Sequence, residues 1–377
     1  MAQRPARGHS PAEFGSKQVM REVHKFGGAS VQDAAGVRNV GRLVGDIISR
    51  GVQPAVVVSA MAKSTNALEG VWSALPEGGD TEAMCSGVHR FHAAVMADLG
   101  LPSALLAEDW SAFLAAATAR CGLPADDAGY DALVGFGERF STRIVHAHLT
   151  AIGLRVQWLS AWDLVQTDAA HRAAKVDLAK TGNLIRAQVE KAGDQVSLMQ
   201  GFVGGTPEGI PTTLGREGSD FSGALMAEAL GAARLVVWKD VAGVMTGDPR
   251  RWPLAQTLER LDYGTAERMS AAGAGVLHPA TMAPLQRAGI PLEVRSFVHP
   301  EATGTTISGG EPPAGLPPLW AFSKDKDGQE LVRCLTLRAA DAAADWHSAF
   351  PDIPLLNVAP DPGIEGCFRL TVQHQTH

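Results

Sequence analysis

Glu22-Val-His-Lys-Phe-Gly-Gly-Ala-Ser-Val-Gln-Asp33, with the segments that follow it, decides the fold. Residues 22–26 read as a strand, Gly27-Gly28 as a turn, and Ser30 to Asp33 as a cap leading into helical spacing over residues 34–48. The nearly continuous β-branched run Pro54-Ala-Val-Val-Val-Ser59 then predicts a buried strand. Strand, turn, helix, strand is the unit of parallel α/β sheets, because parallel neighbours need a crossover between them.

The alternation continues along the chain. Helical patterns run over residues 82–120, with a break at Pro102, and over 131–153, 266–274 and 279–288. Strands are expected over 154–160, 196–200, 235–239 and 292–297. Residues 1–20 carry Pro, Gly, Ser and Arg without periodicity and are expected to form a disordered extension. The run Gly309-Gly-Glu-Pro-Pro-Ala-Gly-Leu-Pro-Pro318 reads as a linker. It separates a domain over 21–308 from a short tail over 319–377, in which strand, helix, strand, strand is expected.

A chain of 377 residues has room for two or three domains and a large core. Its net charge is −7 and its 33 basic residues are scattered, which argues against a nucleic-acid surface. No apolar run reaches the roughly 18 residues that span a bilayer, and no apolar signal core stands at the N-terminus. A soluble cytoplasmic protein without a membrane partner is the expectation. Cys85, Cys121, Cys334 and Cys367 are far apart and include no Cys-x-x-Cys, so reduced structural thiols are expected.

The second informative stretch is Met199-Gln-Gly-Phe-Val-Gly-Gly-Thr-Pro-Glu-Gly-Ile-Pro-Thr-Thr-Leu-Gly-Arg-Glu-Gly-Ser-Asp220. Its glycines let backbone N–H groups approach a ligand, Thr212, Thr213 and Ser219 add hydroxyls, and Arg216 can fork a carboxylate or phosphate. On composition alone it is either an anion-binding loop or a mobile surface loop. Lys25, at a strand end before Gly27 and Gly28, either meets phosphate oxygens or is an ordinary strand-end lysine. The next strand end delivers Ser59, Lys63, Ser64, Thr65 and Asn66 to the same sheet edge, where open α/β sheets bind ligands. Asp240, Asp248 and Arg250 either contact a nucleotide or close turns. Neither a Walker loop nor a dinucleotide fingerprint is present.

Together, Lys25-Phe-Gly-Gly-Ala-Ser-Val31, Val57-Val-Ser-Ala-Met61 with Thr65-Asn66, Gly137-Glu138, Thr212-Thr-Leu-Gly-Arg-Glu-Gly-Ser-Asp220, Asp240-Val-Ala-Gly-Val244 with Asp248-Pro-Arg250, and Val276-Leu-His-Pro279 resemble the ordered motifs of the aspartokinases. The resemblance covers about residues 21–308. It implies the α/β amino-acid-kinase fold, a mainly parallel sheet sandwiched by helices, and ATP-dependent phosphorylation of the L-aspartate side chain to 4-phospho-L-aspartate. It also implies Mg²⁺ held by ATP phosphates and water rather than by a protein metal cage, and a homodimer.

Carried over by motif, Lys25 stabilises the transferring phosphoryl group, Asp220 organises Lys25, and Gly27 and Gly28 cradle phosphate oxygens. Arg216 pairs with the α-carboxylate of aspartate and Glu138 with its α-ammonium, while Ser59, Thr65 and Ser219 help to hold it. Lys239, Asp240, Asp248 and Arg250 fall on the nucleotide side. The chain departs from the family at Ala29, Lys239, Met245 and Gly275, the last standing where many members have a nucleotide-contacting lysine. The tail matches one incomplete ACT module (βαββαβ), where members usually have two, so reduced or absent lysine and threonine feedback is expected. Two alternatives remain: a kinase for a related amino-dicarboxylate, and a catalytically weak binding or regulatory paralogue.

Overall fold

The computed structural model describes residues 20–78, 81–274, 277, 279–324, 330–335, 339–351 and 353–372. The opening motif folds as β1 (Arg21–Phe26), a 3-10 turn (Gly28–Val31), α1 (Ala34–Ser49) and β2 (Gln53–Val58). Asp33 caps α1 by accepting a hydrogen bond from Gly36 N at 2.8 Å, as the sequence pattern predicts.

Five helices follow: α2 (Ser64–Ala74), α3 (Thr81–Asp98), α4 (Ala107–Thr118), α5 (Asp127–Val134) and α6 (Phe136–Ala151). The single helix expected over 131–153 is thus two helices meeting at Gly135, which places Glu138 in the first turn of its own helix. The chain continues through β3 (Val156–Leu159), α7 (Ala161–Leu164), α8 (Leu178–Ala192) and β4 (Val196–Gln200). The glycine-rich stretch is not wholly loop: β5 (Val203–Gly205) and β6 (Pro211–Thr213) pair antiparallel before α9 (Gly218–Leu230). Then come β7 (Leu235–Lys239), β8 (Arg260–Asp262), α10 (Tyr263–Ala271), α11 (Pro279–Ala288), β9 (Leu292–Ser296) and β10 (Thr305–Ser308).

The main sheet has eight strands in the order β3-β4-β2-β1-β7-β9-β10-β8, and only β9 and β10 pair antiparallel. Period-two alternation feeds two cores. Val23, Ala55, Val57, Met199, Leu235 and Val237 face α8, α9, α10 and α11, whereas Phe26, Val56, Val58, Leu198 and Trp238 face α1 to α6. The central strands are buried on both faces, which is why they read as continuous apolar runs.

The C-terminal segment forms β11 (Leu319–Lys324), β12 (Glu330–Leu335), α12 (Ala339–Ala349), β13 (Leu355–Pro360) and β14 (Cys367–Val372). These strands make an antiparallel sheet in the order β11-β12-β14-β13. β11 adds a strand to the order expected from sequence. Its faces divide between two interiors: Leu319 and Ala321 join the core around α9 to α11, while Trp320 is buried beside Trp346 of α12 and Phe350, the residue after that helix. Asp361 receives hydrogen bonds from Arg333 and Arg369 at 2.7 Å each, and Arg333 also donates to Ala272 O just beyond α10.

Candidate active site

The carboxyl ends of four neighbouring strands, β4, β2, β1 and β7, converge on a cavity of about 540 Å³. β1 brings Lys25, β2 leads to Ser59, β7 ends in Lys239, and Phe202 follows β4. Thr65 and Glu138 come from α2 and α6, and Arg216, Ser219 and Asp220 from the loop before α9 and its first turn. A larger cavity of about 770 Å³ includes Arg21 and Gln53, at the amino ends of β1 and β2 and so away from these groups.

Backbone strain marks the same cavity. Among the described residues, the non-glycine positions with positive φ are Ala62, Arg172, Phe202 and Glu217, and all four line it. Such conformations cost of order 1–3 kcal/mol each and persist where surrounding structure imposes them. Gly28 and Gly201 allow the close packing that shapes it. A Cβ on Gly28 would come within 2.7 Å of Ala60 O, and one on Gly201 within 2.6 Å of Ser219 Cβ.

Two charged pairs organise the interior. Lys25 Nζ lies 2.5 Å from Asp220 Oδ1, and Lys239 Nζ lies 3.9 Å from Asp220 Oδ2. One buried carboxylate therefore stands between two ammonium groups, which leaves excess positive charge for an anionic ligand. Glu138 is buried, accepts from Ala60 N at 3.3 Å through Oε1, and has no partner for Oε2. Burial pushes its pKa up to about 8, against the smaller opposing effects of the Ala60 N–H and the Lys25 charge. The buried carboxyl group is thus poised for a cation that the protein itself does not supply.

A third buried carboxylate ties one end of this cavity together. Asp131 is fully buried and receives Thr213 Oγ1 at 2.6 Å, His171 Nδ1 at 2.9 Å and Arg172 N at 3.0 Å. It thereby fixes β6, just before the Arg216 loop, and the strained turn carrying Arg172. The Arg172 guanidinium sits 4.1 Å from the Tyr130 ring centroid, and Tyr130 donates to Glu69 Oε1 at 2.5 Å. Sequence reasoning missed Glu69, Tyr130, Asp131, Arg172 and Phe202. Arg172 and Asp131 are 41 residues apart, and nothing local in either segment signals their contact.

On the other side of Lys239 lies a second cavity, of about 470 Å³. Lys239, Asp240, Met245, Asp248 and Arg250 line it, together with Gly273, Ala274, Val294, Trp320 and Phe322. Arg250 folds onto Asp248 at 2.8 Å and is mostly exposed. Lys239 belongs to both cavities and so stands where they adjoin. Of the sequence-derived residues, Lys25, Gly28, Ser59, Thr65, Glu138, Arg216, Ser219 and Asp220 line the first cavity, and Asp240, Asp248 and Arg250 the second. Gly27 lines neither, although a Cβ there would stand 3.6 Å from Lys25 Nζ. Gly275, Val276 and His278 lie outside the described residues.

Known proteins share this arrangement of elements. The model of the amino acid kinase family matches residues 20–296. Lysine-sensitive aspartokinase 3 of Escherichia coli (strain K12) is 33% identical over 345 residues, covering 90% of this chain and 75% of that protein. The chloroplastic bifunctional aspartokinase/homoserine dehydrogenase 1 of Arabidopsis thaliana is 32% identical over 299 residues, but this chain spans only 32% of its length. The crystal structure of E. coli aspartokinase III in complex with aspartate and ADP matches with a TM-score of 0.73 and 29% identity, over 94% of this chain and 79% of that one. With the motifs, the sheet order and these likenesses in agreement, the chain belongs to the amino acid kinase family, among its aspartokinases.

Proposed function

We propose that this chain transfers the γ-phosphoryl group of ATP to the side-chain carboxylate of L-aspartate, giving ADP and 4-phospho-L-aspartate. The carrying observation is Lys239 at the meeting of two cavities, with Lys25 paired to Asp220 beside it. A carboxylate oxygen attacks the γ-phosphorus, the bond to the bridging oxygen breaks, and ADP leaves with that electron pair. The aspartate side chain, with a pKa of about 3.9, is already ionised near neutral pH, so no general base is required. What the site must supply is positive charge and N–H donors around the transferring group.

The first cavity suits an amino-dicarboxylate. Arg216 takes the α-carboxylate, the unpartnered Oε2 of Glu138 takes the α-ammonium, and Ser59, Thr65 and Ser219 contribute polar groups around them. The second cavity suits the nucleotide, with Asp240, Asp248 and Arg250 among its lining residues. Lys25 and Lys239 face the junction where the phosphates meet the acceptor, and the packed turn at Gly28 lets backbone approach them.

Among the described residues, no group of three or more His, Cys, Asp or Glu side chains is arranged to hold a metal ion. Lys25 and Lys239 supply positive charge for the phosphates, and Mg²⁺ would be carried in on ATP. When bound, that ion neutralises phosphate charge and orients the leaving group.

The test is ADP release by purified protein with Mg-ATP and a panel of amino acids, with the acyl phosphate trapped as its hydroxamate. Aspartate should be the preferred acceptor, and nucleotide binding without transfer to any acceptor would overturn the reading. Sedimentation checks the implied homodimer, and adding lysine or threonine to the assay measures feedback directly.

A further inference from the structure

β11 brings Phe322 to the rim of the second cavity, where Trp320 and Phe322 are its lining residues from the C-terminal sheet. Met245 and Val294, the latter from β9 of the main sheet, line the same cavity. The two aromatic residues differ in what they can do. Trp320 is sealed in the small core, with rings of Trp346 and Phe350 each 5.6 Å away. Phe322 is only partly buried, lies edge-on to Phe350 at 6.0 Å, and has the Arg251 guanidinium 5.3 Å from its ring centroid.

The strand is held in this position by the catalytic layer. Trp320 N donates to Thr246 O at 2.7 Å, and Thr246 belongs to the same loop as Met245 and Asp248. At the far side, a Cβ on Gly273 would meet Ser323 Cβ at 2.9 Å, so β11 lies directly against the end of α10. The lining combines the charged Asp240, Asp248 and Arg250 with the apolar Met245, Val294 and Phe322, and a nucleotide needs both kinds of surrounding, one for its phosphates and one for its base.

We propose that Phe322 is a base-contacting residue of the nucleotide site, so that the C-terminal sheet completes that site. The inference rests on the second cavity being the nucleotide cavity. An aromatic face offers any purine a stacking surface, and loss of one such contact weakens binding by roughly tenfold.

The experiment uses the full chain and compares wild type with Phe322→Ala and Phe322→Leu. The Leu variant keeps the half-buried apolar contact and guards against a folding defect in the Ala variant. Three constants are measured: ADP affinity by calorimetry, inhibition by magnesium tripolyphosphate, which has phosphates but no base, and the KM for aspartate. Phe322→Ala should weaken ADP binding about tenfold, and Phe322→Leu should also weaken it, while tripolyphosphate inhibition and the aspartate KM stay within about twofold. Unchanged ADP affinity in both variants, or equal weakening of ADP and tripolyphosphate, overturns the role. Failure of the wild type to bind ADP at all sinks the nucleotide-site reading itself.

Discussion

Lys25 Nζ and Asp220 Oδ1 are 2.5 Å apart in a site where their side chains are only 10% and 4% exposed. A lysine held this way can neither swing into solvent nor exchange its partner cheaply. Lys25→Ala should lower kcat by about 10²–10³, the scale for losing one preorganised charge donor. It should also lower stability by about 1–3 kcal/mol, less than a fully orphaned buried carboxylate, because Lys239 remains 3.9 Å from Asp220. Single-turnover kinetics and denaturant melts separate the two effects, and a near-normal kcat would remove Lys25 from the chemistry.

Arg216 is assigned to the acceptor alone. Arg216→Ala should raise the aspartate KM by about 10–100-fold, the scale of a lost charge-assisted bond, with the ATP KM nearly unchanged. An unchanged aspartate KM places Arg216 outside the acceptor site.

Glu138 should make aspartate binding sensitive to pH. Its pKa is raised to about 8, so the ligand-free protein holds this carboxyl group protonated near neutrality, whereas an ammonium ligand needs it ionised. Binding therefore releases a proton, and apparent aspartate affinity should rise with pH by up to about tenfold per unit, levelling near pH 8. The stability of the free protein moves the opposite way. Protonation of Glu138 contributes fully below its ordinary value of 4.5, and that contribution is lost as pH rises to about 8. Glu138→Gln should flatten both dependences and raise the aspartate KM, and a pH profile unaltered in the variant would exclude this role.

Asp361 holds Arg333, whose guanidinium donates to Ala272 O and so ties the C-terminal sheet to the end of α10. Burial alone would raise its pKa, but Arg369 and Arg333, with the Gly363 N–H, hold it at about 2. The sign is opposite to that of Glu138: its stabilisation is present above the ordinary value of 3.8 and disappears as pH falls to about 2. Asp361→Asn should cost about 3 kcal/mol at neutral pH, since Arg333 loses its buried partner. Thermal melts at pH 7 and pH 3 check this, with a smaller difference expected at the lower pH.

The opening motif was legible because each part carries its own physical mark: a β-branched run, two glycines, and an aspartate that caps the next helix. Lys25 stood out by its place at a strand end before two glycines, with its role left open, and the roles of Asp220 and Glu138 came only through resemblance to family motifs; the charge arrangement that joins them comes from strand order. β11 was not legible. Leu319-Trp-Ala-Phe-Ser-Lys324 follows a proline-rich segment, and its alternation reflects two different cores rather than one buried and one wetted face. Asp131 and Arg172 were equally silent, since their contact depends on a fold that brings α5 beside the turn after α7.

That doubly embedded strand sets how the molecule comes apart. With Leu319 and Ala321 sealed in one interior and Trp320 in the other, neither interior can open without wetting the same backbone. Calorimetry should record one melting transition for both layers, and any partner or substitution that pulls at the small sheet will be felt as slack in the large one.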